Sequence, residues 1–144
     1  MVEPGRARRG VTQGRLSFEV EARPEHVFMV RQALERMGLP RVVLDDAKLL
    51  ASELVTNSMR HAGLRPEDLV HVTALWSGAV LRVIVRDAGS TGLPNFAGAI
   101  RPEPGAQSGW GLFLVDQIAS RWGTNLGGRP GYWFELEAPP ASAA

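Results

Sequence analysis

The sequence predicts a two-layer α/β sandwich, with a largely antiparallel sheet on one side and helices on the other. Period-two alternation marks strands at 16–20, 70–76 and 80–86, with another at 132–137. Apolar residues at helical spacing mark helices over 24–38 and 42–62. Ser77-Gly78, between two alternating runs, signals a hairpin.

The elements follow in order. Residues 1–15 read as a flexible basic arm, and 16–140 as a single domain. Leu16, Phe18 and Val20 share one strand face. Pro24 opens a helix through Val27, Val30, Leu34 and Met37, and Gly38 is its expected stop. In the second helix Leu44, Ala47, Ala51, Leu54, Val55 and Ala62 form a core-facing stripe, and Gly63 ends it. The hairpin of 70–76 and 80–86 comes next. Residues 87–107, rich in glycine, proline and small residues without periodicity, have the character of a functional lid. A third helix is expected from about Gly109 to Arg121, and a last strand from Tyr132 to Glu137 before Pro139 and Pro140.

Composition limits the function. Cysteine is absent, which excludes disulfides, thiolate nucleophiles and Cys-ligated metals. No apolar run approaches a membrane span, and Arg6, Arg8 and Arg9 lead into no apolar block of the signal-peptide kind, so a cytoplasmic location is expected. The formal net charge of +1 favours neither nucleic acid nor membrane as a direct partner. That charge is uneven: four Arg and one Glu stand in residues 1–15, leaving 12 basic and 14 acidic residues in the rest.

Three segments carry chemistry. In the second helix Glu53, Asn57, Arg60 and His61 stand at i, i+4, i+7 and i+8, on one face displaced from Leu54 and Val55. A carboxylate there can polarise a hydroxyl, an amide oxygen suits hard Mg²⁺, and an arginine suits phosphate. Alone, the same face also reads as the solvated side of an amphipathic helix. Next, Asp87-Ala88-Gly89 ends the hairpin. Alternation puts Asp87 on the inward face with Leu81, Val83 and Val85, where a carboxylate needs a donor such as an adenine amino group. Gly89 would let backbone approach a flat base. Asp-x-Gly is equally a common turn. Third, Ser108-Gly109-Trp110-Gly111-Leu112 runs into a helix start, where exposed N–H groups attract anions. A lone Gly-x-Gly says little, but the three segments stand in the order that one nucleotide pocket needs. No Gly-x-x-x-x-Gly-Lys-Ser/Thr loop is present.

These motifs resemble the GHKL superfamily of ATPases. Glu53-x-x-x-Asn57-x-x-x-His61 is similar to its N box, Asp87-x-Gly89 to its first glycine box and Gly109-x-Gly111 to its second. The wording Ser-Glu-Leu-Val-Thr-Asn at 52–57 and Gly-Leu-Phe-Leu-Val-Asp at 111–116 resembles short actinobacterial ATP-binding regulators similar to anti-sigma factor serine/threonine kinases. The resemblance covers about residues 16 to 137. It implies a Bergerat-type ATP site in which Asn57 ligates Mg²⁺ and Glu53 is the general base. Asp87 and Gly89 would meet the adenine, Ser108, Gly109, Trp110, Gly111 and Leu112 would line the phosphates, and Arg60 would contact phosphate. His61 would pack or orient the site. The sequence departs from the family at its end. Residues 125–141 contain no Ser or Thr, and Gly131 is expected where relatives carry a threonine near the adenine.

The resemblance further implies a sigma factor and an anti-sigma-factor antagonist as partners, the antagonist being phosphorylated on Ser or Thr. The oligomeric state stays open, a homodimer included. The competing class is a non-catalytic interaction module whose lid is ordered by ATP. ATP hydrolysis without a protein substrate is a third reading, weakened by the lack of a transducer domain.

Overall fold

The computed structural model describes residues 13–61, 63–87, 110–126 and 129–140. The arm up to residue 12 and the expected lid at 88–107 lie outside them. The elements are β1 (Gly14–Glu21), α1 (Val27–Glu35) behind a single 3₁₀ turn at Pro24–His26, α2 (Arg41–His61), β2 (Leu69–Trp76), β3 (Val80–Asp87), α3 (Trp110–Ile118), β4 (Arg121–Leu126) and β5 (Arg129–Glu137). The strands form one sheet in the order β1-β2-β3-β5-β4, every pairing antiparallel. This is the expected two-layer α/β sandwich.

The alternating patterns set the inner face. Phe18, Val72, Val85 and Tyr132 are successive cross-strand partners, and so are Ala74, Val83 and Phe134. Against these pack Val30 and Leu34 of α1, Val43, Ala47, Leu50, Leu54 and Val55 of α2, and Leu112 and Val115 of α3. Burying a side chain such as Leu50 or Phe134 stabilises the fold by about 1.5–3 kcal/mol each. Lys48 ties α2 to α1 through a 2.6 Å ion pair with Glu35, whose hydrogen bond and charge hold the Glu35 carboxyl below its ordinary range.

Element ends follow local chemistry. Gly38 and Gly63, with φ of 70° and 64°, adopt the left-handed conformation just beyond α1 and α2, a standard helix stop for a residue without Cβ. In the hairpin Ser77 N–H donates to the Val80 carbonyl at 3.1 Å, so the turn residues are Gly78 (φ 96°) and Ala79, one step later than the Ser77-Gly78 reading. Ser77 Oγ accepts from the N–H groups of Ala79 and Val80 at 3.2 and 2.9 Å.

The sequence reading fails at β4. The third helix does not reach Arg121: it stops at Ile118, and Arg121 begins a strand pairing with β5. Main-chain bonds fix the break. Ala119 N–H still reaches back to the Val115 carbonyl at 2.9 Å, but Ser120 N–H turns to Glu135 of β5 at 2.8 Å. Ser120 Oγ also accepts from Glu137 N–H at 3.0 Å. The helix is thus traded for a sheet edge as soon as β5 lies alongside.

On the outer face Trp133 lies flat against Gly123 of β4. A Cβ at Gly123 would meet Trp133 Nε1 at 2.7 Å. The Arg82 guanidinium stands 4.5 Å from the ring centre and that of Arg121 5.7 Å, and both also reach Glu135, at 3.2 and 3.6 Å.

Candidate functional site

The site is built where α2 passes over β3 and β5 and meets the start of α3. Glu53 and Asn57 stand one helical turn apart on α2, half-buried, with exposed Arg60 on the next turn. The buried stripe of α2 pulls Leu54, Val55 and Ser58 inward, which leaves the Glu53–Asn57 face turned to the side.

Gly111, in the first turn of α3, lies against Glu53. A Cβ at position 111 would sit 3.2 Å from Glu53 Oε2 and 3.5 Å from Glu53 Cβ. Gly111 has no positive φ, so this close approach, and not backbone strain, asks for glycine. Leu112 beside it is buried in the core, so a ligand could meet Leu112 only through its main chain. The start of α3 therefore stands beside Glu53, and an anion bound there would be close to the helix's positive end.

Asp87 is the last residue of β3 and pairs with buried Val70, as the alternation predicts. Its Oδ1 is shielded from solvent on the inner face. Between Asp87 and Asn57 stands Tyr132 of β5, 6% exposed. Asn57 Nδ2 donates a 2.8 Å hydrogen bond to the Tyr132 hydroxyl. Burial pushes the Tyr132 hydroxyl above its ordinary range; the Asn57 hydrogen bond opposes that shift, and the Asp87 charge adds to it. The hydrogen bond thus links α2 to β5, next to the strand that Asp87 ends.

The chain belongs to the histidine kinase-like ATPase domain family. The family model matches residues 20–127, which is most of the chain and contains Glu53, Asn57, Asp87 and Gly111. Comparison with curated proteins gives no match. Membership in this GHKL-type family supports nucleotide binding, ATP in particular, for a histidine kinase-like ATPase domain of this shape.

Of the residues expected in the ATPase site, Glu53 and Gly111 come together, with Asn57 one turn further along α2 and bonded to Tyr132. His61 ends α2 and Trp110 begins α3; their side chains, with Gly89, Ser108 and Gly109, lie outside what is described. The residues present fit a Mg²⁺–nucleotide pair. Among the described residues no three His, Asp or Glu side chains gather as a metal cluster. An oriented amide oxygen, completed by water and phosphate oxygens, is a donor set that Mg²⁺ accepts. No helix among the described residues is long and apolar enough to cross a membrane.

Two residues stand out here that no sequence motif marks. Tyr132 shares the inner face with Phe134 and Leu136, so period two together with its being the chain's single tyrosine could have marked it. Thr124 is a buried hydroxyl on β4, between Gly123, which pairs with Trp133, and Asn125, which pairs with Pro130. The Gly127-Gly128 pair between two short runs was its available hairpin signal. Gly131 is buried in β5 and brings no side chain there; the hydroxyl that this strand carries on the inner face is that of Tyr132.

Proposed function

We propose that this chain is an ATP- and Mg²⁺-binding regulator of the anti-sigma factor type, transferring the γ-phosphoryl group of ATP to a Ser or Thr of an antagonist protein. The observation that carries the reading is the approach of Gly111, at the start of α3, to Glu53 on α2, one turn before Asn57. One half-buried carboxylate and one oriented amide then stand beside a helix N-terminus, which is the equipment phosphoryl transfer needs for positioning and charge balance.

In this reading Asp87 accepts a hydrogen bond from the adenine amino group and fixes the base. N–H groups at the start of α3 hold phosphate oxygens, and Arg60 adds a cation from the exposed side of α2. Asn57 would hold Mg²⁺, which when bound supplies neutralising charge at the phosphates. Glu53 accepts the proton of the incoming Ser or Thr hydroxyl as its oxygen attacks the γ-phosphorus and the bond to the β-phosphate oxygen breaks, leaving ADP. Control of a sigma factor rests on the resemblance of the 52–57 and 111–116 segments to anti-sigma kinases.

The test is incubation of the purified chain with Mg-ATP and the candidate antagonist encoded nearby, followed by mass spectrometry. Phosphoserine or phosphothreonine on the antagonist is expected. Tight ATP binding without transfer would replace the kinase by a nucleotide-gated binding module.

A further inference from the structure

An asparagine amide has two ends of nearly equal size and opposite character. Only the oxygen can ligate a hard cation; the NH₂ group repels one. A metal-binding asparagine therefore needs something to decide which end faces the metal. On α2, exposed solvent on one side and apolar core on the other do not make that choice for Asn57.

We propose that Tyr132 makes it: the Tyr132 hydroxyl is a positioning group that takes the Nδ2 hydrogen bond of Asn57 and so leaves the amide oxygen as the ligating end. This rests on the reading of Asn57 as the Mg²⁺ ligand. Two observations support it. The Asn57–Tyr132 bond is 2.8 Å, and the tyrosine is held in place by burial on the inner face of β5. Val85, the cross-strand partner of Tyr132, lies two residues before Asp87, so Asp87 stands at the same end of the sheet. A tyrosine hydroxyl can donate or accept, so alone it would tolerate either amide orientation. In the structure the phenolic oxygen accepts from Asn57 Nδ2, and that acceptance selects the NH₂ end of the amide.

The experiment measures ADP affinity by calorimetry with and without Mg²⁺, for wild type, Tyr132→Phe, Asn57→Ala and the double variant. The quantity of interest is the factor by which Mg²⁺ tightens ADP. Tyr132→Phe keeps the ring and removes one hydrogen bond, so this factor should fall about three- to tenfold while metal-free affinity stays within about twofold. In the Asn57→Ala background Tyr132→Phe should change the factor no further. An unchanged factor in folded Tyr132→Phe, or an equal loss with and without metal, overturns the proposal. A second measurement needs no variant. Because the chain has a single tyrosine, tyrosine labelled with ¹³C at Cζ alone gives one resonance, which should shift when Mg²⁺ is added to the ADP complex; no shift would also overturn the proposal. Wild type that binds no ADP at all would sink the nucleotide reading itself, an outcome distinct from the others.

Discussion

Gly111 packs so tightly on Glu53 that a Cβ there would come 3.2 Å from the carboxylate oxygen Oε2. The nearest atom is the end of a flexible side chain, so Gly111→Ala should displace the Glu53 carboxylate without unfolding the protein. Alanine gains at most about 1 kcal/mol of helix propensity, which offsets the crowding. Thermal denaturation should therefore change little while phosphotransfer falls. Gly111→Leu, by contrast, should destabilise the fold by about 1–3 kcal/mol through overpacking. Full activity in Gly111→Ala would show that the position of Glu53 is not critical.

Glu53→Gln separates catalysis from binding. It keeps the size and the hydrogen-bonding reach and removes the charge. Nucleotide affinity should be retained while transfer slows by about 10²–10⁴-fold, the usual range for a lost general base. Full transfer by the variant would keep the kinase but discard Glu53 as its base.

Base choice tests Asp87. Guanine presents a carbonyl where adenine presents its amino group, so ATP should bind at least about tenfold tighter than GTP. Asp87→Ala should erase the preference. Equal competition by the two nucleotides against labelled ADP would remove Asp87 from the base site.

The titration of Tyr132 gives a pH prediction. Its folded-state value lies above the ordinary 10.0, chiefly through burial, with Asp87 adding and the Asn57 hydrogen bond opposing. Stability from this group is thus fully present below the ordinary value and lost as pH rises through the folded one. The midpoint of tyrosinate absorbance, which reports this residue alone, should lie above that of a free tyrosine. Asp87→Asn should lower the midpoint. Asn57→Ala removes the bond that favours the phenolate and should raise it. Opposite signs would contradict the arrangement of the three groups.

Gly123 tests the outer face. Its missing Cβ makes room for the Trp133 indole, which Arg82 and Arg121 clasp. Gly123→Ala should cost about 1–3 kcal/mol in denaturant unfolding. Combined with Trp133→Leu, the same substitution should cost much less. Equal costs in both backgrounds would show that the ring is not the obstacle.

The sequence by itself determined the element types other than β4, and the buried faces. Period two placed Leu81, Val83, Val85 and Asp87 on one side of β3, and period 3.6 put Glu53 and Asn57 one turn apart on the same side of α2. These are short-range properties, because a side chain's direction depends only on its own strand or helix. The ordered set of Glu53, Asn57, Asp87 and Gly111 was legible for that reason. Only the tertiary structure decided that Arg121–Leu126 is a strand, since those residues have weak β-propensity and pair only because β5 lies beside them. It also decided that Gly111 touches Glu53 and that Asn57 bonds to Tyr132, 75 residues away. No local period carries such a distance. It is set by how α2 settles across β3 and β5 once the core between them is filled, and that depends on every buried side chain at once.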